Sequence, residues 1–222
     1  MTIVFARAIH PRLASSVRIA VALVAALALL VLGTPGRAWA YPPTPPDATT
    51  SRAHLGTLTV APSGSDSGYS RDKFPHWIDQ GNNCNTREVV LKRDGSGVTV
   101  GSDCYPTSGS WYSVYDQTTT SDPSKVQIDH MVPLHNAWVS GASSWSTAQR
   151  QAYANDLAEP QLIAVSASSN ESKSDRDPSE WKPPNTGEWC FYSRDWIEVK
   201  YHYHLTVTSA EKPALGDMLD TC

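Results

Sequence analysis

Basic residues are scarce in this chain: 18 Lys and Arg face 22 Asp and Glu over 222 residues. Four of those cations are arginines within the first 40 residues, which hold no acid, so the remainder carries a net charge of −8. Proteins that hold nucleic acid stably leave a basic footprint. Such a protein is therefore disfavoured, whereas an enzyme that needs only a local groove and must release its product is not. Cysteine is sparse too, four residues with no Cys-x-x-Cys pair, which argues against structural zinc. No internal repeat is present, which excludes a solenoid. The longest apolar run, residues 19–32, spans 14 residues, short of the roughly 20 that cross a bilayer.

What is present begins with a leader. Arg7, Arg12 and Arg18 precede that apolar run, and Ala38-Trp39-Ala40 closes it with small residues, the pattern of a secretory signal peptide cleaved after Ala40. The expected product is a secreted, extracellular protein with no membrane anchor, and 182 residues suffice for one domain with a real core. All four cysteines lie in the exported part, where an even number favours disulfides. Three pairings are open. Cys84–Cys104 and Cys190–Cys222 are favoured because each would staple neighbouring elements.

Residues 41–53 are rich in Pro and Thr and read as a flexible arm, leaving 54–222 as the domain. Two β-prone runs, 87–93 and 98–101, flank Asp94-Gly95-Ser96-Gly97 and predict a hairpin. Residues 111–115 form a further aromatic strand, and 126–128 a short one leading into Asp129-His130. Helical patterns follow at 134–139, at 147–157 with Ser146 as cap, from 168 onward and over 188–204, while 162–165 is a short apolar strand. The fold class is α+β with helices gathered late. Because neighbouring strand residues point to opposite faces, Asp129 and His130 need a bulge or turn to serve one site.

The ordered set Asp129-His130-x-x-Pro133-Leu134, an apolar strand, Asn170-x-x-Lys173, then Asp177-Pro178 and Trp181-x-Pro183 resembles the HNH endonucleases of the ββα-metal (His-Me finger) superfamily, most closely small exported bacterial nucleases. The likeness covers about residues 84–219. It implies a ββα-metal core, with the motif at 126–175, in a single disulfide-stapled domain with added strands and C-terminal helices. It further implies Asp129 and Asn170 as metal ligands and His130 as general base; Lys173, three residues after Asn170 and so on the same helical face, is expected on a phosphate oxygen. Gln161 departs from the Asn usual at its place and is read as loop support; Arg150 and Arg176 are candidate substrate contacts. An imidazole deprotonates water near neutral pH, and a carboxylate with an amide oxygen suits one hard divalent ion, magnesium or its alternative manganese. The implied activity is hydrolysis of DNA, and of RNA as a further substrate, with little sequence specificity, by a monomer.

Two other classes compete. The seven Trp of the exported part would suit a non-catalytic polysaccharide or cell-wall binding module, although aromatic residues of a small domain mostly fill its core. His202-Tyr203-His204, together with His130, would suit a zinc hydrolase only if that stretch were a strand, since on a helix the pair diverges.

Overall fold

The structure is a computed structural model that describes Met1 and residues 42–222. The expected leader and its expected cleavage site lie outside the described residues. The described residues 42–222 belong to one unit.

The stretch expected to be a flexible arm is instead folded. Helix α1 (Ala48–Thr57) starts on Asp47, whose carboxylate accepts the Thr50 amide at 2.9 Å. Ahead of it the Pro45 and Pro46 carbonyls accept from the Arg194 guanidinium at 3.0 and 2.6 Å. Proline-rich backbone cannot bond to itself, but its carbonyls remain available to a cation.

A second correction concerns residues 87–93, which are helical. Asn85 and Glu88 cap helix α2 (Thr86–Asp94) reciprocally, each side chain accepting the other's amide, at 3.1 and 2.8 Å. Val89-Val90-Leu91 favours a strand by propensity. Burial of Val90 and Leu91, both fully covered, is available to a helix as well, and the cap decides between them. Strand β1 (Ser96–Val100) then pairs with β2 (Pro106–Ser113), which pairs with β3 (Thr118–Thr120), all antiparallel.

Strands β4 (Val126–His130) and β5 (Leu162–Ser166) form the two-stranded sheet that matters most. Their antiparallel register runs without slippage from Val126↔Ser166 to His130↔Leu162. Helix α3 (Leu134–Val139) and helix α4 (Thr147–Ala154) fill the connection, α4 starting from a Ser146–Gln149 capping box. Helix α5 (Ala167–Lys173) leaves β5 directly, so the chain runs strand, strand, helix around Asp129-His130. Helix α6 (Trp189–His202) and helix α7 (Glu211–Leu219) complete the fold. Pro213 and Gly216 disguise α7 in the sequence; proline is tolerated in a first helical turn, where its missing N–H has no intrahelical partner.

The hairpin lies between two cores. Val126, Ile128, Leu162 and Ala164 pack with Val90, Leu91 and Trp111, whereas Ile163 and Val165 join the larger cluster of Tyr115, Met131, Tyr153, Tyr192 and Trp196. Period-two alternation thus feeds both faces. Asp94 ties α2 to the hairpin by accepting the Ala164 amide at 2.8 Å. Both favoured disulfides, Cys84–Cys104 and Cys190–Cys222, are present.

Candidate active site

At the end of β4 a cleft of roughly 290 Å³ is bordered by Asp129, His130, Asn170, His135, Arg71 and Asp175, among others. Of the bulge or turn that the sequence requires for Asp129 and His130 to share a site, the structure has no bulge and uses the turn. The strand is regular through His130 and the chain turns at Met131, so the cleft opens across the strand's end and takes neighbours from both faces.

Each side chain is held by a specific partner. Asp129, 4 % exposed, accepts from the Tyr115 hydroxyl at 2.8 Å through Oδ2 and from Lys173 Nζ at 2.9 Å through Oδ1. Lys173, fully buried, also donates to the His130 carbonyl at 2.9 Å. Burial pushes the Asp129 carboxyl up and the Lys173 ammonium down, and the charge of each opposes the other's shift. The close contact and the second donor on Asp129 favour the ion pair. Lys173 was expected to hold a phosphate oxygen; its ammonium is instead committed to orienting Asp129.

His130 is 4 % exposed, and its Nε2 lies 3.0 Å from the Ala154 carbonyl. A carbonyl only accepts, so Nε2 carries the hydrogen and Nδ1 keeps its lone pair. The Trp77 indole stacks on the imidazole, with centroids 5.5 Å apart and planes 25° from parallel. Trp77 itself adopts φ +60°, a left-handed conformation costly for an aromatic residue and sustained only by its surroundings. Burial, foremost, pushes the His130 pKa down to about 3, with the Arg71 charge adding to the effect. The ring is therefore neutral at physiological pH.

Asn170 reaches the cleft from α5. Its orientation follows from a chain of donors: Gln127 Nε2 donates to the Glu171 carboxylate at 3.0 Å, so Gln127 Oε1 accepts Asn170 Nδ2 at 2.7 Å. Asn170 Oδ1 is left as a carbonyl oxygen without a protein donor among the described residues. An amide oxygen and a carboxylate with unused lone pairs on one cleft fit a hard, partly hydrated cation. Among the described residues no group of three or more His, Cys, Asp or Glu could hold a metal, so a zinc centre of the histidine-rich kind has no counterpart there. His202 lies on helix α6 and faces Glu159 at 3.4 Å.

The remaining candidates lie elsewhere. Gln161, fully buried, clamps the peptide beyond the motif: its Oε1 accepts the Val132 amide at 3.2 Å and its Nε2 donates to the Val132 carbonyl at 3.0 Å. Tyr153 donates to that same carbonyl at 2.5 Å. Arg150 is buried, with its guanidinium donating to the carbonyls of Lys73, Ala142 and Trp145. That consumes its donors and removes it as a substrate contact. Arg176 is exposed and donates weakly to the Lys173 carbonyl at 3.4 Å, outside the cleft lining. Trp111, Trp138, Trp181 and Trp196 are buried, which takes the aromatic surface from a polysaccharide-binding module. Tyr115, Trp77, Arg71 and His76 were not foreseen. They lie 14 to 58 residues before Asp129 in a different part of the chain, and no local pattern announces which fold neighbour they will have.

Residues 99–218 match the family described as GmrSD restriction endonucleases, C-terminal domain. The chain belongs to this family. The GmrSD C-terminal domain family is of nuclease type, and its match takes in β4, β5 and α5 whole. A secreted protein of Arthroderma benhamiae, described as uncharacterized, is 56 % identical over 195 residues, covering 88 % of this chain and 95 % of that protein. No solved structure matches. The chain is secreted: its relative carries that description, and its two disulfides are bonds of oxidising compartments. Among the described residues no helix is long and apolar enough to cross a membrane.

Proposed function

We propose that this chain is a secreted, divalent-metal-dependent endonuclease of the HNH (ββα-metal) type that hydrolyses phosphodiester bonds of DNA, and of RNA as a second substrate, with little sequence preference. The observation that carries the reading is the meeting of His130, Asp129 and Asn170 on one cleft, with His130 Nε2 already bonded to the Ala154 carbonyl. Asp129 and Asn170 would hold the ion, magnesium or manganese. Such an ion, when bound, supplies a Lewis acid for the phosphoryl oxygens and the leaving oxygen.

The protein's own groups do the rest. His130 Nδ1 takes a proton from the attacking water while the Ala154 carbonyl and the Trp77 face keep the ring from rotating. A pKa near 3 guarantees a free lone pair but makes a weak base. A phosphate anion beside the ring favours the imidazolium and raises that basicity as substrate arrives. Lys173 and Tyr115 fix both oxygens of Asp129, and Gln127 fixes the amide of Asn170, so the ligand oxygens are aimed before the ion arrives. Gln161 and Tyr153 hold the peptide that follows His130.

Nicking of supercoiled plasmid by the secreted protein tests the proposal. Cleavage with magnesium, none with EDTA, and a loss of at least ~100-fold in His130→Ala are expected. Wild-type activity in His130→Ala would end this mechanism.

A further inference from the structure

The cleft has a wall that lies before residue 99, where the family match begins. Tyr69 and Arg71 line it, while His76 and Trp77 stand against His130 with centroids 6.5 and 5.5 Å away. This wall is fastened to the segment after the Asp129-His130 pair by His135. Its Nε2 lies 2.7 Å from Asp66 and its Nδ1 2.8 Å from Asp175, and Tyr69 packs edge-on against its ring with centroids 4.8 Å apart.

The cations at the cleft differ in what they already hold. Lys173 is bonded to Asp129 and the His130 carbonyl, His135 lies between two carboxylates, and Arg150 is buried among carbonyls away from the cleft. Arg71 is exposed, and no carboxylate of the described residues pairs with it. Its Nε donates to His76 Nε2 at 3.2 Å; His76 Nδ1 in turn donates to the Phe74 carbonyl at 2.8 Å, which fixes the His76 tautomer. The neutral imidazole thus orients the guanidinium without neutralising it. The Nη1 and Nη2 ends make no hydrogen bond among the described residues. A planar fork anchored at one nitrogen and open at the others matches the non-bridging oxygens of a phosphodiester.

We infer that Arg71 is a substrate-binding residue of this cleft, gripping the phosphate of the nucleic-acid backbone from a segment outside the matched family region; the inference rests on the nuclease reading above. In a chain with a net charge of −8 after leader removal, one open cation at the cleft also concentrates substrate locally.

The test compares wild type, Arg71→Ala, Arg71→Lys and, as a charge-matched control on the surface, Arg52→Ala, whose partner is Asp220. Two readouts are taken on the secreted protein: magnesium-dependent plasmid nicking, and binding of a fluorescent oligonucleotide in EDTA over a range of salt. Arg71→Ala should lose roughly ten- to hundredfold in kcat/KM, bind more weakly, and show a log K against log salt slope smaller by about one. Arg71→Lys should recover part of the affinity and Arg52→Ala should match wild type. If Arg71→Ala stays within twofold of wild type in both readouts while His130→Ala is inactive, the Arg71 assignment is overturned and the nuclease reading survives. If wild type neither cleaves nor binds, the nuclease reading fails and the assignment falls with it.

Discussion

Two buried lysine–carboxylate pairs both approach the ring of Trp196. Lys173 and Lys200 have their ammonium groups 5.7 and 5.9 Å from its ring. Lys200 faces Glu211 at 3.2 Å with both side chains about 1 % exposed, and it also donates to Asn136 Oδ1 at 2.6 Å and to the Thr206 carbonyl at 2.9 Å. Glu211 accepts the Trp196 indole N–H at 2.6 Å. In the Lys173–Asp129 pair the lysine is sealed and the carboxylate borders the cleft. The chemistry is the same, but access differs. A sealed pair fixes how α6 and α7 pack; a pair with one member at the surface of a cleft fixes where a ligand oxygen sits. Buried ion pairs are poor evidence for net stability, and breaking one leaves an uncompensated charge.

That contrast can be broken by substitution. Lys173→Met should cost about 10- to 100-fold in magnesium-dependent cleavage per folded molecule, because Asp129 loses the group that aims it. Lys200→Met should leave activity per folded molecule near wild type while destabilising by about 3–5 kcal/mol in a denaturant melt. Equal losses of activity in the two variants, measured where circular dichroism shows both folded, would erase the distinction.

Helix α6, which carries Lys200, also carries the Cys190–Cys222 bridge, joining its start to Cys222 across a separation of 32 residues. Replacing both cysteines by serine should lower stability by about 2–4 kcal/mol with little effect on cleavage. The smallest effect is one of pH. Burial raises the Glu188 carboxyl to about 8. From the ordinary carboxylate value near ~4.3 up to about 8 the folded protein keeps a proton that the unfolded chain has released. Stability contributed by this group is therefore present below that window and declines as pH rises through it. Glu188→Gln should flatten that decline in melts taken at pH 5 and pH 8, and an unchanged slope would assign it to another group.

Much of this contrast was legible before the fold. Asp129, His130, Asn170 and Lys173 stand in an order that a strand–strand–helix unit brings together, and short β-prone and apolar runs placed β4 and β5. The partner of Lys173 was not legible, since a lysine three residues after Asn170 reads as a solvated or phosphate-facing charge until burial is known. Arg150 misled for the same reason: a guanidinium turned inward onto carbonyls looks identical in sequence to one turned outward. For α2 the opposite holds, because the Asn85–Glu88 box is local in sequence and its cap outweighs the β propensity of Val89-Val90-Leu91. Arg71 and Trp77 depend on long-range contacts that no local period encodes.

The central claim is that His130 Nδ1 accepts the proton of the attacking water, and chemical rescue addresses that atom directly. His130→Gly should be at least ~100-fold slower than wild type in plasmid nicking with magnesium. Added imidazole should restore part of the rate in that variant and none in Lys173→Met. Full activity in His130→Gly without imidazole would contradict the account.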